Sequence, residues 1–556
     1  MNVLRTWRAV RHLRPVQIAG QLRHVLAPSR RIALPAPRAP RWTLARWPVA
    51  PPPAPAHARW DGAGAIELVG HGARFARPGE GASVEAIDWQ YTAGGPLFAY
   101  QLHFFEWARA RSATPAVRGR AVAHWIANAR GGVGWDAHPI SVRTLAWLLM
   151  RFADEGGLAL DDAADEALRR SLDQQLETLA GQLETRLQAN HLLENRIALV
   201  AGGLALEGAR SARWLAHADA LAADLREQFG EEGAHYERSP MYHAVLLEHL
   251  LHLLALAQAT GERAPRSLVD ALHATCARAL AALEVWTHPD GEIALLGDAA
   301  LGIAQPPAAL RAYASALGVA LVPLAERGLL RSTGHARLEA GELVLIASVG
   351  GPSPPFQPGH AHCDALAFEL SAGGRRVVVD TGVFEYVPGA RRDLARATRA
   401  HATLEVGGAE QAECFGGHRV GGRPRVAIAS AVPERAVEAT CAGWSTPRTV
   451  HRRRFEVVPG SSRIEIEDRI EGDPRPVRAF LPLAPGLEPA LDATLGRARV
   501  PLGDGRTLAV ELPAGFAWRV VSAPYWPRFG CEEERRVVVG EAGALARARF
   551  RISLER

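Results

Sequence analysis

From about Trp89 to about Leu317 apolar residues return at three- and four-residue spacing, as in LDQQLETLAGQLETRL, HAVLLEHLLHLLALAQA and SLVDALHATCARALAALEVW, the period of helices with buried faces. Short breaks such as GGVGWDAHP, ALEGARS and ATGERAP separate these runs and suit consecutive antiparallel hairpins rather than βαβ units. After Leu330 the period falls to two in GELVLIASVG, ALAFELSAGGRRVVVDTG, SSRIEIEDRIEG and RRVVVGEAG, bounded by turn residues, which predicts antiparallel sheet. Helices first and strands second predict two packed domains with a ligand cleft between them. Ahead of both, a basic amphipathic segment, MNVLRTWRAVRHLRPVQIAGQLRHVL, leads into ALPAPRAPRW and WPVAPPPAPAHARW, where proline opposes both helix and central strand. The expected division is a basic arm and Pro-rich linker over 1–84, a helical domain over 85–325 and a sheet domain over 326–556.

The length of 556 residues exceeds what one core usually serves, and 48% hydrophobic with 22% charged residues excludes a disordered chain. No lysine occurs, so all 64 basic residues are arginine. Codon bias in a GC-rich genome accounts for this most simply, while arginine's planar fork suits an anionic ligand whatever the cause. The net charge of +5 would also attract nucleic acid, but no zinc-finger spacing, aromatic RNP strand or helix-turn-helix pattern accompanies it, and none is expected to bind. Five scattered cysteines without a CxxC pair read as free thiols of a reducing compartment. The arginine-studded N-terminus lacks the apolar stretch of a secretory signal, and no run approaches the roughly 20 apolar residues of a membrane span. The expected location is cytoplasmic, with the periplasm as the alternative. The basic segment suits a helix packed on the main domain or, less readily, contact with an anionic membrane surface. Nothing in the pattern fixes an oligomeric state. Gly-Gly pairs fall in turns, so neither a nucleotide nor a flavin is expected.

Three clusters carry chemistry. In QANHLLENR, Asn190, His191 and Glu194 share a helix face, where they either bond neighbouring helices or face a ligand. In HYERSPMYHAVLLEHL, Tyr236, Tyr242 and His243 crowd a helix start in a chain with seven tyrosines. Ser239 reads as N-cap and Pro240 as N1, which places Tyr242 where the helix dipole favours a phenolate. In PGHAHCDALAFEL, RRVVVDTG and RATRAHATLEV, strand-like segments carry His360, His362, Asp380 and His401; strand alternation lets His360 and His362 face one site and turns Cys363 away. Two histidines and a carboxylate form a zinc-type ligand set.

Together and in this order, these clusters resemble the heparinase II/III family of polysaccharide lyases. The resemblance covers most of the chain, through NHLLEN, SPMYH, GHAHCDALAFEL, VVVDTGVFEY, the Arg392 and Arg396 pair before AHATL, and IEIEDRI. PLFAYQLHFFEW and GWDAHPISVRTLAWL, with Trp135, His138 and Arg143, resemble helices of members from bacterial surface-polysaccharide gene clusters. The resemblance implies an incomplete (α/α) toroid followed by an antiparallel β-sandwich, with a uronate cleft where they meet. It implies Tyr242 and His360 as catalytic residues, with Asn190 and His191 engaging the uronate carboxylate and Glu194 nearby. Glu194, Trp135, His138, Arg143, Arg392 and Arg396 are then substrate-binding candidates, and His362, Asp380 and His401 ligands of a structural zinc. Where the family commonly reads His-Asn-Thr, this chain reads His401-Ala402-Thr403.

The implied reaction is β-elimination from a 4-linked uronate in an exopolysaccharide, capsule or O-antigen. Asn190, His191 and a nearby arginine would neutralise the carboxylate. Tyr242 or His360 would remove the C5 proton, depending on the sugar's configuration, and Tyr242 would protonate the departing O4. Two other readings stay open. A glycoside hydrolase on the same scaffold would need two facing carboxylates, for which Glu194 and Asp364 are candidates. A glycan-binding or assembly protein would use the cleft without catalysis.

Overall fold

The computed structural model describes residues 3–26, 39–76 and 83–555. Its middle is helical, from Gly95–Leu102 through Pro115–Asn128, Ala137–Phe152, Asp162–Gly181, Ala189–Ala205, Ala218–Phe229, Pro240–Thr260 and Arg266–Val285 to Pro307–Ala316. Successive helices pack as hairpins that curve into an incomplete toroid. One member, Pro240–Thr260, is largely apolar, with Leu246, Leu247, Leu250, Leu251, Leu253 and Leu254 all buried. It is long and apolar enough to cross a membrane, contrary to the expectation that no such run exists, yet most of it is buried here against neighbouring helices.

The linker expectation needs correction. Residues Ala58–Trp60, Ala65–Leu68 and His71–Arg74 form a three-stranded antiparallel sheet. The Asp61 carboxylate accepts from the Ala63 and Ala65 amides at 2.7 and 2.8 Å and closes its first turn. Ile66 and Leu68 are fully buried in the helical core. The proline-dense stretch before it lies along the helices, where Pro52 O accepts from Arg109 at 3.0 Å and Pro53 O from Gln305 at 2.7 Å.

The C-terminal part is an antiparallel sandwich. One face is an eight-stranded sheet in the order Arg425–Val432, Ala436–Ala442, Thr449–Val457, Arg463–Gly472, Arg547–Glu555, Thr507–Glu511, Arg497–Pro501, Ala490–Asp492. Facing it are a five-stranded sheet built on His335–Ala340, Leu343–Ser348 and Ala367–Ala372, and a four-stranded sheet containing Pro476–Pro482 and Glu533–Ala544, joined by the Val378–Leu483 bridge. Leu345, Leu370, Phe455, Ile466, Leu481 and Val538 fill the space between. All five cysteines are free.

Two buried charges hold the parts in register. Glu369, on a sandwich strand, accepts from His288 at 3.0 Å and from the Leu295 and Asp380 amides at 3.1 and 2.7 Å, which fixes the segment leading out of the toroid. Asp468 takes a forked contact from Arg453 at 2.6 and 3.0 Å, and Arg453 also donates to Leu366 O and Ala402 O. Burial alone would raise the Asp468 carboxyl, but the Arg453 charge and the bond from His451 outweigh it and hold the group at about 2. Asp468→Ala, which strands the buried guanidinium, is expected to cost about 3–5 kcal/mol in urea unfolding. Because the folded pKa is depressed, the wild-type advantage is full above the ordinary carboxylate range and fades as pH falls towards about 2.

Candidate functional site

A cavity of about 320 Å³ opens where the toroid meets the sandwich. Two helix starts deliver side chains to it. Ser239 Oγ accepts from the Tyr242 amide at 3.3 Å and Pro240 occupies the first turn, so the Pro240–Thr260 helix presents Tyr242 to the cavity. The Ala189–Ala205 helix presents Asn190, His191 and Glu194. Both approaches are strained: Gln188, Ala189 and Arg238 have φ of 61°, 52° and 62°, left-handed values costly without glycine and typical of functional sites. Burial pushes the Tyr242 hydroxyl well above the usual phenol range despite its hydrogen bond with Tyr386 at 3.1 Å, so the expected phenolate-favouring dipole does not prevail and Tyr242 rests as a neutral phenol.

His360 reaches the cavity from the sandwich side. Residues 349–366 form a loop rather than the expected strand, so His360 and His362 converge by loop geometry, not by alternation. They meet on Asp298, a residue the sequence reading passed over. His360 Nδ1 donates to Asp298 Oδ2 at 3.0 Å, His362 Nε2 donates to Oδ1 at 2.9 Å, and Arg392 grips both oxygens, one at 2.8 Å. Burial would raise Asp298, but the Arg392 charge and the histidine bonds keep it well below the usual carboxylate range. With its Nδ1 proton held there, His360 turns a lone pair on Nε2 to the cavity, where Asn190 Nδ2 donates at 3.3 Å. The Tyr242 and His360 rings stack with centroids 3.9 Å apart.

Acidic groups face these bases. Glu237 lies 3.8 Å from His360 Nε2, is 3% exposed and has no partner for Oε2; burial raises it above the usual carboxylate range. His191 donates to Glu184 at 3.1 Å; burial would lower the imidazole, but the Glu184 charge carries it upward. Glu194 accepts from His249 at 2.6 Å, and Glu106, Glu248 and His57 line the same wall. Tyr386 and His418 complete the rim from the sandwich. No arginine lines the cavity among the described residues.

Two stretches of the chain match one family: residues 164–316 the heparinase II/III N-terminus and residues 323–552 the heparinase II/III-like C-terminal domain. The chain belongs to the heparinase II/III family of polysaccharide lyases. Solved structures share this fold. Heparinase III aligns with a TM-score of 0.66 at 17% identity, over 87% of this chain and 80% of that one. Heparan sulfate lyase HepC from Pedobacter heparinus aligns with a TM-score of 0.56 at 18% identity, over 90% of this chain and 81% of that one. Among curated proteins none matches the sequence.

Several residues singled out from the sequence of this heparinase II/III-family chain lie elsewhere. Arg143 is fully buried and donates to Gln175, His103 O and Gly134 O, with its guanidinium 4.0 Å over the Trp125 ring, so it braces the toroid rather than binding substrate. Trp135 is buried and donates to Ala129 O at 2.8 Å. Arg392 acts through Asp298, and Arg396 donates to Ala361 O, Gly417 O and Arg419 O; neither lines the cavity. Asp364, the second carboxylate of the hydrolase reading, also lies outside it, accepting from Ser348 Oγ at 3.3 Å. Tyr236 and His243 face other neighbours, Phe356 and Ala279 O. His138 does line the cavity, its ring 4.6 Å from that of His191.

Three groups have metal-ligand spacing among the described residues: His138, Glu184 and His191; Asp298, His360 and His418; and His362, Asp380 and His401. The third fits an ion best. His401 Nδ1 donates to Asp380 at 2.7 Å, and both His401 Nε2 and His362 Nδ1 are buried without a hydrogen-bond partner. Asp298→Asn would remove the charge that fixes the His360 tautomer. It is expected to lower kcat by about 10²–10⁴-fold with a small change in KM, near-ultraviolet circular dichroism staying native.

Proposed function

We propose that this lyase cleaves a sparsely sulfated or unsulfated uronic-acid glycan by β-elimination, with His360 as base and Tyr242 as acid. The observation that carries this is the stacked Tyr242–His360 pair inside one cavity, with Asn190 on the histidine's free nitrogen. His360 Nε2 takes the C5 proton, the C5–H electrons form the C4–C5 double bond, the C4–O4 bond breaks, and the neutral Tyr242 phenol gives its proton to O4. Tyr386, bonded to Tyr242, stands ready to return a proton. No water is added, which separates this from hydrolysis. A pure binding role would leave the Asp298-oriented base and the buried phenol without a task.

The C5 proton becomes acidic only when the adjacent carboxylate is neutralised. Asn190 and the positively biased His191 supply part of that, and Glu237, which burial pushes upward, adds a hydrogen bond to the carboxylate when it carries its proton. Sulfate-rich sugars would meet Glu106, Glu194 and Glu248, and among the described residues no arginine lines the cavity, which supports low sulfation. A role in bacterial surface-polysaccharide metabolism is part of the same proposal, supported by the motifs around PLFAYQLHFFEW and GWDAHPISVRTLAWL.

Purified protein incubated with unsulfated and sulfated uronans is expected to generate an ultraviolet-absorbing unsaturated product from the unsulfated polymers, and Tyr242→Phe to abolish it. Absence of absorbance on every polymer, with glycan binding retained, would return the protein to the binding class.

Glu237 gives a pH signature. His191, His235 and His360 face it, with Asn190 as the neutral neighbour, and wild-type kcat is expected to fall on the alkaline side as Glu237 loses its raised proton. Glu237→Gln should retain turnover and flatten that limb, whereas Glu237→Ala should lose about 10²–10³-fold.

At His362, Asp380 and His401 we place zinc in a structural role, holding the sandwich edge behind Asp298. Elemental analysis is expected to find bound zinc, and chelation to lower Tm; His401→Ala should lose both the metal and the chelator sensitivity.

A further inference from the structure

The two N-terminal helices, Val3–Val10 and Pro15–Leu26, are docked with their polar sides inward. Arg8 forks onto Glu413 at 2.8 and 2.6 Å, the Arg5 guanidinium lies 4.1 Å over Phe415, and that of Arg14 lies 3.6 Å over Phe356. Gln17 is buried and donates to Phe356 O at 3.2 Å. Gly20 sits so close to the toroid that a Cβ there would come within 2.7 Å of Thr185 Oγ1 and 2.8 Å of Arg186 N. The apolar sides face out. Of the fourteen large apolar side chains exposed among the described residues, nine lie between Val3 and Leu26. They form stripes: Val3, Leu4, Trp7 and Val10 on the first helix, and Ile18, Leu22, Val25 and Leu26 on the second, with Trp7 56% and Leu26 82% exposed. A soluble surface rarely shows such a patch unless something covers it.

Charge selects the cover. The first 60 residues contain eleven arginines and no aspartate or glutamate, and Arg11 and Arg23 are exposed beside the apolar stripes. A second copy of the chain would bring the same arginines face to face. A lipid surface with anionic headgroups accepts both the arginines and the apolar stripes, with Trp7 at the depth where indoles settle. We infer that the outward face of these two helices docks the protein on an anionic bilayer. Because the helices rest on Phe356, and Gln357, Gly359 and His360 follow it into the cavity wall, docking sets the lyase site beside the membrane. This inference rests on the N-terminal geometry and survives if the elimination chemistry proves otherwise.

The test is flotation of the full-length protein with vesicles of phosphatidylcholine alone or mixed with phosphatidylglycerol. Partition is expected to be about tenfold stronger on the anionic vesicles and to weaken at high salt. The double variant Trp7→Glu, Leu22→Glu should lose this binding while retaining wild-type circular dichroism and turnover of soluble glycan. Wild-type protein that stays unbound, or a variant that floats as well as wild type, overturns the inference. A concentration-dependent dimer in sedimentation, broken by the same variant and indifferent to lipid, overturns it in favour of a second copy.

Discussion

The site depends on one buried carboxylate. Asp298 belongs to the segment that leaves the toroid, while His360, His362 and Arg392 come from the sandwich, and all three donate to its two oxygens. A buried carboxylate is costly unless paired and fully hydrogen-bonded, and here the donors come from the other half of the molecule. The free energy that keeps Asp298 ionised therefore also holds the two halves together at the cavity. It gives His360 its tautomer, and it places His362 between Asp298 and the ligand group of His401 and Asp380. His360 and His362 thus both rest on Asp298, and His362 also belongs to the candidate metal group.

Among the described residues no arginine lines the cavity, in a chain that has 64 arginines and no lysine. Arg143, Arg392 and Arg396 are used instead as internal braces, where a planar fork satisfies several carbonyls or both oxygens of one carboxylate. Positive character at the wall comes from imidazoles, whose charge is set by their partners: Glu184 carries His191 upward, and Glu194 carries His249 to about 9 against the opposing effect of burial. Each of these imidazoles is paired with a glutamate, His191 with Glu184 and His249 with Glu194.

The elements that carry Asn190 and Tyr242 begin at left-handed residues, and this strain is sustained by the packing behind them. The leucines of the Pro240–Thr260 helix are buried in the helical core, so its N-terminus cannot relax without disturbing that core. Rigid elements of this kind position reacting groups more closely than surface loops do.

The change from a three-to-four-residue period to a period of two after Leu330 was enough to place helices before sheet, because amphipathic periodicity is local and survives without partners. The motif order pointed to the family, and NHLLEN and SPMYH marked the two helix starts for the same reason: capping and side-chain spacing are written in a few adjacent residues. Residues 58–74 went unread as sheet because strands of three and four residues beside a proline-dense stretch give almost no periodic signal. Arg143 and Trp135 were misplaced because a side chain's type does not reveal whether it turns into the core or towards a cavity. Asp298 and Glu237 were missed because their meaning lies in partners distant in sequence: Asp298 meets His360 across 62 positions and Arg392 across 94. The sequence by itself determined the element types, the family and the chemical inventory. Only the tertiary structure decided which charges are paired, which histidine nitrogens remain free and which carboxyl burial pushes upward, since all three depend on distances and desolvation that arise when remote segments pack.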